Sequence, residues 1–160
     1  MNQVHILTGN VKTGKTTRLM RWAISQNNID GIFQPVIDEK RYIYNIGTRT
    51  LKPLETKETE NITTIGKYNF SNETFSWAQN FITNCLEKNL DWIIIDEIGP
   101  LELENKGLEP AVSSLFSKRN EIQAKILCVV RESILEKFLK HYRLQDEHLL
   151  FELKIIEDQD

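Results

Sequence analysis

Gly9-Asn10-Val11-Lys12-Thr13-Gly14-Lys15-Thr16 is the stretch on which the fold of this chain turns, and its meaning depends on its flanks. Val4 to Leu7 before it is a short apolar run of strand type. After it, Leu19, Trp22 and Ala23 recur at helical spacing, which predicts a helix from about Lys15 to Gln26, ended by Asn27-Asn28. The stretch fits G-x-x-x-x-G-K-[ST] and joins a strand to a helix, the setting in which that pattern binds phosphate. Its glycines let successive backbone N–H groups turn toward phosphate oxygens, and the helix N-terminus adds the positive end of its dipole. Lys15 is then the group that reaches the β and γ phosphates, and the short hydroxyl of Thr16 suits a Mg²⁺ ligand. Gly9, Asn10, Val11, Lys12, Thr13 and Gly14 complete the nucleotide-binding set, with Thr17 one helical position further on, near the α phosphate. Lys12 faces either phosphate or solvent.

A second stretch, Trp92-Ile93-Ile94-Ile95-Asp96-Glu97, runs four apolar residues into two acids. A continuous apolar run suits a central strand covered on both faces. Carboxylates at its end need a partner, because an unpaired buried charge costs several kcal/mol even after relaxation. A divalent cation and a water supply that partner: Asp96 is suited to hold Mg²⁺ through a coordinated water, and Glu97 to orient and deprotonate the water that attacks the γ phosphorus. The alternative is that both acids cap a turn or pair with surface lysines.

Around these stretches, short apolar runs alternate with amphipathic ones, the order of an α/β fold with a mainly parallel sheet flanked by helices. From about residue 31 to 69 the texture changes to short segments broken by Pro35, Gly47 and Pro53, which predicts a β-hairpin insertion after the first helix. Its charged middle, Glu55 to Glu60, suits a solvated loop. Ser71-Asn72-Glu73-Thr74 supplies capping residues for a helix through Phe75, Ala78, Phe81, Ile82 and Leu86. Further elements are expected as a helix from Gly107 to Lys118, a strand from Ile126 to Val130, a helix from Ser133 to about His141 and a strand around Leu149 to Ile156.

The chain has 160 residues, 40% hydrophobic and 27% charged, a globular mixture that excludes disorder and a disulfide scaffold and suits one domain spanning 1–160. Its net charge of -3 leaves nucleic-acid binding unsupported. Cys85 and Cys128 lack metal-type spacing and sit in apolar contexts, as reduced buried thiols do. With no signal-type start and no apolar run long enough for a bilayer, a cytoplasmic protein is expected. His5, His141 and His148 show no metal spacing.

Continuing as Ile98-Gly99-Pro100-Leu101-Glu102-Leu103, the sequence resembles the small P-loop nucleoside-triphosphatases, the family of the cancer-related nucleoside-triphosphatase and its bacterial and archaeal counterparts. That family usually has DEIGKMEL where this chain has DEIGPLEL. The opening Gly-rich loop, Asp30-Gly31 and Gly66-Lys67-Tyr68 are looser matches. The resemblance implies a RecA-like sheet with a β insertion, and slow Mg²⁺-dependent hydrolysis of nucleoside triphosphates of broad base. Pro100 stands where the family has lysine, the E-V-R piece of its second motif is absent, and Arg41 lies near a later arginine of that motif.

Arg131 follows the predicted strand Ile126 to Val130, at the edge where open α/β sheets bind ligands, so it either senses the γ phosphate or pairs with Glu132 or a helix end. Glu102, Arg49 and Lys67 are pocket or loop charges of lower rank, and Tyr42, Tyr44 and Tyr68 either form an exposed aromatic surface that stacks a base or, more simply, pack at alternate strand positions. The leading function is triphosphate hydrolysis. A small-molecule or nucleoside kinase would use the same phosphate site with an acceptor in place of water, although no arginine-rich lid is evident. A nucleotide-gated binding module would use hydrolysis as a timer. The substrate is a nucleoside triphosphate in each case, and no residue points to a protein partner.

Overall fold

The computed structural model describes residues 3–9 and 15–153, the side chain of Lys15 excepted. In chain order it forms β1 (Val4–Gly9), α1 (Lys15–Ile24), β2 (Ile29–Phe33), β3 (Val36–Ile37), β4 (Lys40–Asn45), β5 (Thr50–Pro53), β6 (Ile62–Ile65), β7 (Tyr68–Ser71) and α2 (Asn72–Cys85). There follow β8 (Trp92–Ile95), α3 (Pro100–Leu103), α4 (Ala111–Ser117), β9 (Lys125–Arg131), a 3₁₀ turn at Glu132–Ile134, α5 (Leu135–His141) and β10 (Leu149–Leu150). The main sheet runs β10-β1-β9-β8-β2-β4-β3, with β5 paired to β4. Its first five strands are mutually parallel, and β4 turns antiparallel onto β2. β6 and β7 form a separate hairpin.

Alternation along β8 shows why the sheet is covered twice. Ile93 and Ile95 enter one core with Phe75, Ala78 and Ile82 of α2, Val112 and Leu115 of α4, and Phe138 of α5. Ile94, pointing the other way, joins Leu19 and Ala23 of α1 with Leu7, Leu127 and Val129. All three isoleucines are fully buried, each contributing about 1.5–3 kcal/mol by removal from water. The two cysteines lie in the α2-side core as free thiols, and burial drives both toward the protonated form, Cys85 to about 12.

Several boundaries differ from the sequence expectation. Ile32 and Phe33 belong to the parallel sheet, because β2 pairs with β8, so the inserted β segment starts after Phe33 and runs through β7. Asp30 and Gly31 interrupt the apolar signal there. The Asp30 carboxylate accepts from the backbone N–H groups of Gly31 and Gly47 and pairs with Lys88, while Gly31, at φ +124°, lies so near Ile94 that a Cβ would meet its carbonyl oxygen at 2.0 Å. α1 closes at Ile24, and Ser25 and Gln26 continue only as turn hydrogen bonds. The helix expected from Gly107 is limited to Ala111–Ser117, since Gly107 is left-handed and Pro110 has no N–H. α3 was not anticipated; Pro100 opens it with a φ already suited to a first helical turn. The expected last strand pairs only at Leu149–Leu150, and its residues 154–156 lie outside the described residues. Ser71 caps α2 as its sequence predicts, accepting from the N–H of Thr74 at 3.2 Å.

Candidate active site

Parallel pairing brings the carboxyl ends of β1, β9, β8 and β2 to one edge of the sheet. In register, Gly9 ends opposite Arg131, Ile95 opposite Cys128, and Ile32 opposite Ile95. The chain leaves β1 at Gly9 and re-enters as α1 at Lys15, so the N-terminus of α1 opens on the same edge. Residues 10–14 and the Lys15 side chain, six of the positions expected to bind nucleotide, lie outside the described part of the structure. Thr16, Thr17, Asp96, Glu97 and Arg131 all line one cavity there, of about 770 Å³.

Asp96 is the most enclosed of these groups, 1% exposed. Its Oδ2 accepts from the Thr16 hydroxyl at 3.0 Å and from the Gln34 backbone N–H at 2.9 Å. Desolvation raises its pKa to about 6 against the lowering pull of those two donors. Thr16 comes from the helix after β1 and Asp96 from the end of β8, two strands away across β9, so the two stretches read separately in the sequence meet at hydrogen-bond distance. A hydroxyl and a carboxylate form a hard oxygen donor pair of the kind Mg²⁺ takes, and the buried carboxylate lacks a neighbouring cation in contact among the described residues. The residues therefore fit the ion.

Glu97 departs from the strand. Its φ of +61° is left-handed, a conformation costing a non-glycine residue of order 1–3 kcal/mol, and its carboxylate faces the cavity. Arg41 pairs with Oε2 and Arg131 donates through Nη2 to Oε1 at 2.9 Å. Arg131 was expected either to sense the γ phosphate or to pair with Glu132 or a helix end; the carboxylate it pairs with is Glu97. Gln34 backs the turn from below, donating through Nε2 to the carbonyl oxygens of Asp96 and Glu97 at 3.0 and 3.2 Å.

Gln34 was missed by sequence reasoning. Its key donor is a backbone N–H, which every residue but proline has, so only its place at the end of β2 could have marked it. Arg41, which lies near a later arginine of the family's second motif, is carried to the Glu97 side by the pairing of β4 with β2. Glu102 is 4% exposed and structural in its contacts, accepting from Gly99 N–H at 2.7 Å and Leu108 N–H at 3.1 Å, and burial raises it to about 7. Arg49 lies in an exposed turn, and Lys67 sits over the Tyr68 ring in the β6–β7 turn. Tyr44 stacks on Phe33, and His5 packs edge-on against Trp92. Beyond Glu97 the cavity continues between Val36, Leu54, Ile65, Tyr68 and Phe70 of the inserted segment.

A mainly parallel, helix-flanked sheet with strand order β10-β1-β9-β8-β2, and with its polar residues gathered at the strand ends beside an N-terminal helix, defines a RecA-like P-loop NTPase fold. The chain belongs to the NTPase family, whose sequence profile matches residues 4–159, and it is a nucleoside-triphosphatase. Two solved structures share the fold. THEP1 from the hyperthermophile Aquifex aeolicus superposes with a TM-score of 0.65 at 20% identity, over 94% of this chain and 89% of that one. The human cancer-related nucleoside triphosphatase gives 0.70 at 20% identity, over 93% and 87%. No curated protein matches the sequence significantly.

Proposed function

We propose that the protein hydrolyses nucleoside 5′-triphosphates, ATP and GTP among them, to the diphosphate and phosphate, slowly and with broad base tolerance, in the presence of Mg²⁺. The observation that carries this reading is the meeting of Thr16 and Asp96 at 3.0 Å with Glu97 next in the chain. Thr16 and Asp96 would hold the ion, Thr16 directly and Asp96 through water; bound there, Mg²⁺ supplies charge neutralisation at the phosphate oxygens. Gly9 to Gly14 and Thr17 line the phosphates, and Lys15 reaches the β and γ groups. Glu97 orients a water in line with the γ phosphorus and takes its proton as the new P–O bond forms and the bond to the β–γ bridging oxygen breaks. Arg131, at the end of β9, senses the γ phosphate.

The test is phosphate release from ATP, GTP, CTP and UTP, each with Mg²⁺ and with EDTA. Release from several bases, abolished by EDTA, is expected; release unaffected by EDTA, or from one base alone, overturns the reading. The extension of the cavity past Glu97 favours a second reading, transfer of the γ phosphoryl to a bound hydroxyl compound. That reading requires nucleoside diphosphate to form faster than free phosphate when nucleosides are added. Two free buried thiols support a reducing compartment such as the cytoplasm, and among the described residues no helix is long and apolar enough to cross a membrane.

A further inference from the structure

Glu97 carries two guanidinium groups on one carboxylate. Arg41 occupies Oε2 and Arg131 occupies Oε1, so each oxygen that would take a proton from water already has an ion-pair partner. The cluster faces the cavity: the side chains of Glu97, Arg41 and Arg131 are 23%, 23% and 38% exposed. Both guanidinium groups lie in the wall of the cavity that Thr16 and Asp96 also line, among the carboxylates of Glu39, Glu55 and Glu102.

The two arginines are mounted differently. Arg131 ends a strand of the parallel sheet. Arg41 comes from β4 in the inserted segment, and its backbone is tied down: its N–H donates to Glu55 Oε1 at 3.1 Å and its carbonyl accepts from Leu54 N–H at 2.9 Å. A fixed backbone under a long side chain lets the guanidinium swing between neighbouring anions without moving the strand. A phosphoryl group offers it three oxygens and more charge than a carboxylate, and suits its planar fork.

Resting on the hydrolytic reading above, we propose that Arg41 is a catalytic residue supplied in cis, which leaves Glu97 Oε2 for the γ-phosphoryl oxygens of a bound triphosphate. The exchange has two effects. It places a cation on charge that builds as the γ phosphoryl is transferred, and it frees Oε2 to receive the proton of the attacking water. Arg131 keeps Oε1 through Nη2 and holds the carboxylate in orientation, leaving its other nitrogens for phosphate. A diphosphate, lacking the γ group, leaves Arg41 on Glu97.

Arg41→Ala and Arg41→Lys, compared with the unaltered protein, test this through ADP affinity, formation of the Mg²⁺–ADP–aluminium fluoride complex that mimics the phosphoryl in flight, and steady-state kinetics with ATP. For Arg41→Ala we expect ADP affinity within about two-fold, KM little changed, kcat lowered about 10²- to 10⁴-fold, and no stable aluminium fluoride complex. Guanidinium chloride at low millimolar concentration should restore part of the rate to Arg41→Ala, and Arg41→Lys should recover little, because a point charge lacks the fork. Unchanged kcat, or an aluminium fluoride complex as tight as that of the unaltered protein, overturns the proposal. So does a parallel fall in ADP binding and kcat without guanidinium rescue, which marks a purely structural pair. Lys15→Ala separates the two readings: should it bind ADP undiminished, the phosphate site itself is wrong, whatever Arg41 does.

Discussion

Glu97→Gln keeps the size of the side chain and removes its capacity to accept a proton. Nucleotide binding measured by fluorescence titration should survive, and phosphate release should fall about 10²- to 10⁴-fold; turnover near that of the unaltered protein removes Glu97 as the water activator. Glu102 acts on stability rather than chemistry. Its folded pKa of about 7 lies above the ordinary 4.5, chiefly because it is buried, so the folded state binds the proton more tightly than the unfolded chain. Its contribution is therefore most favourable below about pH 4.5 and declines as pH rises through the interval up to about 7. Urea denaturation at pH 5 and pH 8 should show a smaller loss of stability with rising pH in Glu102→Gln than in the unaltered protein. An identical slope in both would show that Glu102 does not titrate in this range.

At the level of elements, the close approach of β2 to β8 leaves no room for a side chain at residue 31. Gly31→Ala should destabilise by about 2 kcal/mol or more, from overpacking against the Ile94 backbone and from its φ of +124°, read as a drop in the denaturation midpoint. Ser71→Ala should cost about 1 kcal/mol through the loss of the α2 cap. These elements also show what was legible in the sequence. The triple isoleucine of β8 announced a strand covered on both faces, and the Ser71 cap announced α2, because each signal is local. β2 was harder to see, since its identity rests on Asp30, whose partners Gly47 and Lys88 are distant in sequence. The candidate site followed the same rule. Thr16, Asp96, Glu97 and Arg131 were visible from motifs and strand ends, whereas Gln34 depended on the pairing of β2 with β8 and the destination of Arg41 on how β4 folds back onto β2.

Considered whole, the molecule couples ligand to stability by mass action. On the proposed reading a triphosphate held by the α1 end and the β8 end would tie together elements from both halves of the sheet, so Mg²⁺ with a non-hydrolysable ATP analogue at 100-fold its Kd should raise stability by about 2.7 kcal/mol. Thermal melts should shift upward accordingly, and a melt indifferent to the analogue would mean the edge of the sheet does not receive it. Cys85 and Cys128 add an unintended instrument. Both sulfurs are sealed under α2-side packing and held as unreactive thiols, so Ellman's reagent should find almost nothing to modify until the whole structure opens. The rate of colour development would then act as a clock for spontaneous unfolding, with no engineered probe, and nucleotide should slow it.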